Sequence, residues 1–107
     1  MYDFVTTMGE NVNRDQTLKL LAEHKADLAR RFGVAELALF GSTVRGDERA
    51  DSDIDILVSF DGPSTSRRYF GVQFYLEDLF GRPVDLVTRK ALRRELATYV
   101  EREAVRV

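Results

Sequence analysis

The chain is predicted to be a small α/β (α+β) domain, a mixed β-sheet of about three strands flanked by helices, in the order α-β-(short α)-β-α-β-α. Two apolar runs of strand length, Val34–Phe40 and Ile54–Phe60, and a shorter one at residues 84–87, alternate with longer stretches whose apolar residues recur every three to four positions. Glycine and proline mark the joins at Gly33, Gly41, Asp61-Gly62-Pro63 and Gly81. With 107 residues, 44% of them hydrophobic and 32% charged, the chain is sized for one foldable domain and is far from a disordered polyelectrolyte.

Residues 1–14 have little periodicity and read as a loose leader, with Met8 an alternative start, so the domain is expected over 15–107. From Asp15, the expected N-cap, Leu18, Leu21, Leu28 and Phe32 follow helical spacing, and Gly33 stops the helix behind Arg30 and Arg31. His24 lies among polar residues of this helix and is expected on the solvated surface. The run VAELALF is a buried strand, and a polar loop leads to a second, IDILVSF. Beyond the Asp61-Gly62-Pro63 break, Tyr69, Phe70, Val72, Gln73, Leu76, Leu79 and Phe80 form a broad apolar face, expected to cover the sheet as a crossover helix. Residues 84–87 (VDLV) are a third strand, and Leu92, Leu96, Tyr99 and Val100 mark a last amphipathic helix.

Sixteen Lys and Arg against 18 Asp and Glu leave a net charge of -2, which supplies no general attraction to nucleic acid or an acidic membrane. The absence of Cys excludes disulfides, thiolate zinc sites and cysteine nucleophiles. No apolar run is long enough to span a bilayer and no signal segment is visible, so a cytoplasmic protein is expected. Three short strands bury a modest core and leave little surface to wrap a substrate, so a partner chain or a homodimer is expected to complete any site.

The chemistry concentrates in residues 41–55, GSTVRGDERADSDID, and at Asp85. Gly41-Ser42 follows a strand directly, where a glycine permits a tight turn and close approach to the backbone; if Ser42 opens a short helix, its hydroxyl and the N–H groups behind it suit a phosphate. Such turns are also common as plain structure. Asp53 and Asp55 are two apart and share one strand face, opposite Ile54, Ile56 and Val58. Two carboxylates about 4 Å apart at an effective dielectric of about 20 repel by about 4 kcal/mol, so a cation is expected between them, with oxygen ligands favouring Mg²⁺ or Mn²⁺ over zinc. Ser52-Asp53 capping a loop is the structural alternative. Asp85 interrupts an apolar strand and is either a solvated edge residue or a third carboxylate at the same site. Arg45 either reaches a phosphate or braces the loop against Asp47, Asp51 and Asp53. The pairs Arg67-Arg68 and Arg93-Arg94 read as solvated helix faces.

Gly41-Ser42, ten intervening residues, Asp53-Ile54-Asp55 and the later Asp85 resemble the nucleotidyltransferase superfamily that includes DNA polymerase beta. The runs LFGSTVRGDERADSDIDILVSF and FGRPVDLVTRKAL are similar, more closely, to minimal nucleotidyltransferase (MNT) domains, with the resemblance covering about residues 18–105. It implies that Asp53 and Asp55 bind two catalytic Mg²⁺ ions, that Gly41 and Ser42 hold the triphosphate of ATP, and that Asp85 completes the metal site and accepts the acceptor's proton. It further implies an antitoxin that transfers AMP to a tyrosine hydroxyl of a partner HEPN ribonuclease toxin. Neutralisation by binding alone, or transfer to a small aminoglycoside-like hydroxyl compound, are the alternative activities. Neither nucleic acid nor membrane is an expected partner.

Overall fold

The computed structural model describes residues 14–45, 53–92 and 94–107, without the side chains of Ser42, Glu95 and Leu96. The expected leader therefore lies almost wholly outside the described residues. Helix α1 (Arg14–Phe32) leads to β1 (Val34–Phe40), the one-turn α2 (Ser42–Arg45) and β2 (Ile54–Phe60). Helix α3 (Ser66–Phe80), β3 (Val84–Thr88), a 3-10 turn (Arg89–Ala91), α4 (Arg94–Glu103) and β4 (Val105–Arg106) complete the order. Asp15 is not the cap of α1 but sits in its first turn, where its charge still complements the positive end of the helix dipole. Gly33, at φ 73°, closes α1 by donating its N–H to Ala29 O at 2.9 Å. Thr65 caps α3 through its hydroxyl, and left-handed Gly81 ends it. None of these helices is long and apolar enough to cross a membrane.

The sheet has the order β3-β2-β1-β4. The helix α3 crosses between the parallel strands β2 and β3, while β1 runs antiparallel to both β2 and β4. β4 is a strand beyond the three that hydropathy indicates, because two residues are too few to show periodicity; pairing with Ala38 and Leu39 makes it one. One face of the sheet lies under α1 and α3, where Leu21, Leu28, Val72, Leu76 and Phe80 enclose Leu39, Ile54, Ile56 and Val58. A bulge between Val34 and Glu36 lets Val34 and Leu37, three positions apart, both face this core. The opposite face carries Ala38 and Leu57 under Val100 of α4.

β3 is an edge strand, and its outward backbone groups are covered by a row of side chains four apart on α3. Tyr69 donates its hydroxyl to Leu86 O at 2.5 Å, Gln73 donates to Val84 O at 3.3 Å, and Glu77 Oε2 accepts from Val84 N–H at 3.0 Å. Satisfying these groups blunts an edge that would otherwise offer itself to another strand. The same orientation corrects the expected helix face: Phe70, 49% exposed, and its neighbour Phe74, 65% exposed, point away from the sheet. His24 is likewise not simply solvated. It is half-buried between α1 and α3, with Nδ1 2.6 Å from the Tyr75 hydroxyl, which donates to Asp27 Oδ2 at 2.8 Å.

Candidate active site

Strand pairing builds the site at one end of the sheet. The parallel register sets Asp55 of β2 directly opposite Asp85 of β3, so the two side chains leave the same face on strands about 4.8 Å apart. Their neighbours Ile54, Ile56, Val84 and Leu86 point into the opposite face and are buried, which leaves the acids no choice of direction. On the other side Asp55 faces Phe40, the last residue of β1. Gly41 comes next in the chain, at φ 78°. A Cβ placed on Gly41 would lie 2.0 Å from Asp55 Oδ2 and 2.8 Å from its Cγ, so the carboxylate rests on the bare face of the glycine. The turn thus needs glycine twice, for its backbone conformation and for room.

The backbone turns from Gly41 straight into α2, with the N–H groups of Val44 and Arg45 bonded to Gly41 O at 3.1 and 3.2 Å. Ser42 is the first residue of that turn, and its side chain lies outside the described residues. Thr43 is buried, and its Oγ1 has no hydrogen-bond partner among the described residues. Sequence reading passed over it, since a lone threonine in a polar stretch carries no burial signal. Asp53 is exposed and immediately precedes β2, whose ladder to β3 begins with Ile54 N–H donating to Pro83 O at 3.1 Å.

Asp85 is exposed, and its negative charge, after burial, helps to push the Tyr69 phenol above its ordinary range. Tyr69 also clamps Leu86 O, so it fixes the backbone beside Asp85; the signal for that role was the row 69, 73, 77, polar-tipped side chains spaced four apart along the helix. Among the described residues, no Lys or Arg pairs with Asp53 or Asp85. Arg45 reaches toward the β4 side of the sheet, where Glu103 of α4 accepts from its guanidinium at 3.2 and 3.3 Å. Asp47 and Asp51, its expected bracing partners, lie outside the described residues, as does Arg93. Arg68 pairs with Asp61 at 3.1 Å, while Arg67 and Arg94 are exposed.

The donor set fits a hard divalent cation such as Mg²⁺ or Mn²⁺, because it is made of carboxylate oxygens held on one sheet face with no described base to neutralise Asp85. Asp55 and Asp85 are brought together by register, whereas no three acidic or histidine side chains among the described residues are grouped tightly enough to hold a metal as they stand.

Known proteins resemble this chain in sequence and in fold. Residues 21–107 match the nucleotidyltransferase domain family. The chain is 44% identical over 88 residues to the protein adenylyltransferase MntA of Thermococcus cleftensis, covering 82% of this chain and 89% of that one. A solved protein assigned as a minimal nucleotidyltransferase superposes with a TM-score of 0.75 at 35% identity, over 89% of this chain and 96% of its own. A complex of the tri-AMPylated HEPN toxin of Shewanella oneidensis with its MNT antitoxin shares the fold, with a TM-score of 0.60 at 21% identity over 83% of this chain and 70% of that one.

Proposed function

The chain belongs to the nucleotidyltransferase domain family, and on that premise we propose that it transfers AMP from ATP to a hydroxyl, in our reading a tyrosine phenol, of a partner HEPN toxin and so acts as its cytoplasmic antitoxin. The observation that carries the reading is the pairing of Asp55 with Asp85 across parallel strands, with Gly41 lying bare against Asp55. The kinship to a protein adenylyltransferase supports the transfer, and the shared fold with an antitoxin bound to its AMPylated toxin supports the acceptor.

The Gly41 turn accounts for a triphosphate-binding role: Ser42 and Thr43, the first residues of α2, have N–H groups that precede its internal hydrogen bonds. Asp53, Asp55 and Asp85 would hold Mg²⁺ or Mn²⁺, which when bound neutralises charge on the oxygens around the α-phosphorus. Asp85, the exposed member of the register pair, then accepts the proton of the incoming hydroxyl. The hydroxyl oxygen bonds to the α-phosphorus, the α–β bridging P–O bond breaks, and pyrophosphate leaves. The Glu103 contact occupies Nη1 of Arg45 and competes with a role of that residue on a phosphate.

The test is intact-mass measurement of a co-purified HEPN partner after incubation with the chain, ATP and Mg²⁺. Addition of one or more AMP units is expected, with loss on omission of Mg²⁺. An Asp53→Asn, Asp55→Asn variant that still modifies the partner would refute the catalytic reading. Full neutralisation by that variant without modification would instead establish protection by occlusion.

A further inference from the structure

On the side of the molecule away from the acidic face, α1 and α3 leave a shallow groove of about 660 Å³ lined by Arg31, Phe32, Gly71, Phe74, Tyr75 and Asp78, with Glu77 at its end. Its floor is apolar because Gly71 gives Phe32 room; a Cβ there would stand 2.4 Å from the Phe32 ring. Phe74 rises from the rim 65% exposed, stacked on Phe70 with ring centres 6.2 Å apart. Two stacked, exposed aromatics beside an open groove are costly to leave in water and mark a contact surface. Glu77 is already engaged with the backbone of β3, which leaves Asp78 as the acid of the rim. Arg31 lies on the other helix, over the Tyr75 ring; it is more than half exposed and only loosely paired, at 3.8 Å, with Asp27 of its own helix, which leaves its guanidinium able to reach a second acid.

The groove therefore holds both halves of its own complement: a protruding aromatic and an apolar recess, a cation on one helix and an anion on the other. A surface that fits itself in this way satisfies a two-fold interface, where each residue meets the partner's version of its counterpart. We propose that a second copy of this chain docks here, with Phe74 of each copy seated in the groove of the other and Arg31 of each facing Asp78 of the other. The acidic faces then point outward, so both remain open to nucleotide and acceptor.

Sedimentation of the full chain over a dilution series tests this. Wild-type protein is expected to reach twice the chain mass at high concentration and to dissociate on dilution. Phe74→Glu, at an exposed position where folding can be verified by circular dichroism, is expected to weaken association by tenfold or more. Arg31→Asp and Asp78→Arg are each expected to weaken it, and combining the two reversals is expected to restore it, an outcome that a role in the fold of one chain would not produce. A wild-type chain that stays monomeric throughout overturns the proposal, as does a double reversal no better than the single ones. If Phe74→Glu leaves the free chain's mass unchanged but abolishes binding of a co-purified partner, the groove belongs to that partner and the proposal fails.

Discussion

Replacing Gly41 by Ala separates the two demands made on that glycine. The left-handed conformation at φ 78° costs a residue with a Cβ about 1–2 kcal/mol. For a domain of this size that lowers Tm by about 4–8 °C per kcal/mol. The added methyl also falls 2.0 Å from Asp55 Oδ2, far inside contact distance, and relief requires the Asp55 carboxylate to rotate away from its place opposite Asp85. A displacement of about 1 Å at a reacting centre costs roughly 100-fold in rate. Gly81 is the control: it has φ 66° but no heavy atom within 4 Å of an added Cβ. Gly81→Ala should therefore lower Tm by a similar amount while leaving the rate of AMP transfer within about twofold. Both variants are assayed by melting and by initial transfer rate at saturating ATP, well below either Tm. A Gly41→Ala protein with wild-type rate, or a Gly81→Ala protein equally slowed, would refute the claim that the glycine face seats the Asp55 carboxylate for the proposed transfer.

The Tyr75 hydroxyl, followed by Arg31, Arg30 and His24, holds the Asp27 carboxyl below its ordinary range against a smaller opposing effect of burial. A depressed folded-state pKa contributes stability above the unfolded value, near about pH 4, that is lost as pH falls through the folded value. Tyr75→Phe should raise the Asp27 pKa in an NMR titration and flatten the acid limb of stability; an unchanged titration would remove the tyrosine as the cause. The exposed pair of Arg45, at 44%, and Glu103, at 23%, should add no more than about 1 kcal/mol to stability. If Arg45 serves the nucleotide, Arg45→Ala raises the KM for ATP and Glu103→Gln does not, whereas equal KM values for both variants restrict the arginine to a structural brace. Thr43→Val removes a buried hydroxyl that has no partner among the described residues and should leave Tm unchanged or higher, because none of their hydrogen bonds is lost. A fall of several degrees would mean that the hydroxyl is satisfied in solution.

Local pattern was enough to locate β1, β2 and β3, the helices between them, and the glycine stops, because hydrophobic periodicity and backbone freedom act over neighbouring residues. It was also enough to bring out the acids: an Asp amid Val, Leu and Ile cannot share their buried face, so alternation alone sets Asp53 and Asp55 apart from Ile54 and Ile56. Periodicity said nothing of β4, which exists only through its pairing with β1, or of the bulge that turns Val34 and Leu37 to one side. It placed Phe70 on the sheet side of α3 and His24 in solvent, because the angle at which α1 and α3 pack decides which flank of each helix is covered. Tertiary structure alone decided that Asp85 stands opposite Asp55, since register between strands 30 residues apart depends on how the crossover helix docks. It alone decided that Gly41 lies against that carboxylate, because the antiparallel pairing of β1 with β2, not any short-range pattern, brings the turn after Phe40 back onto Asp55.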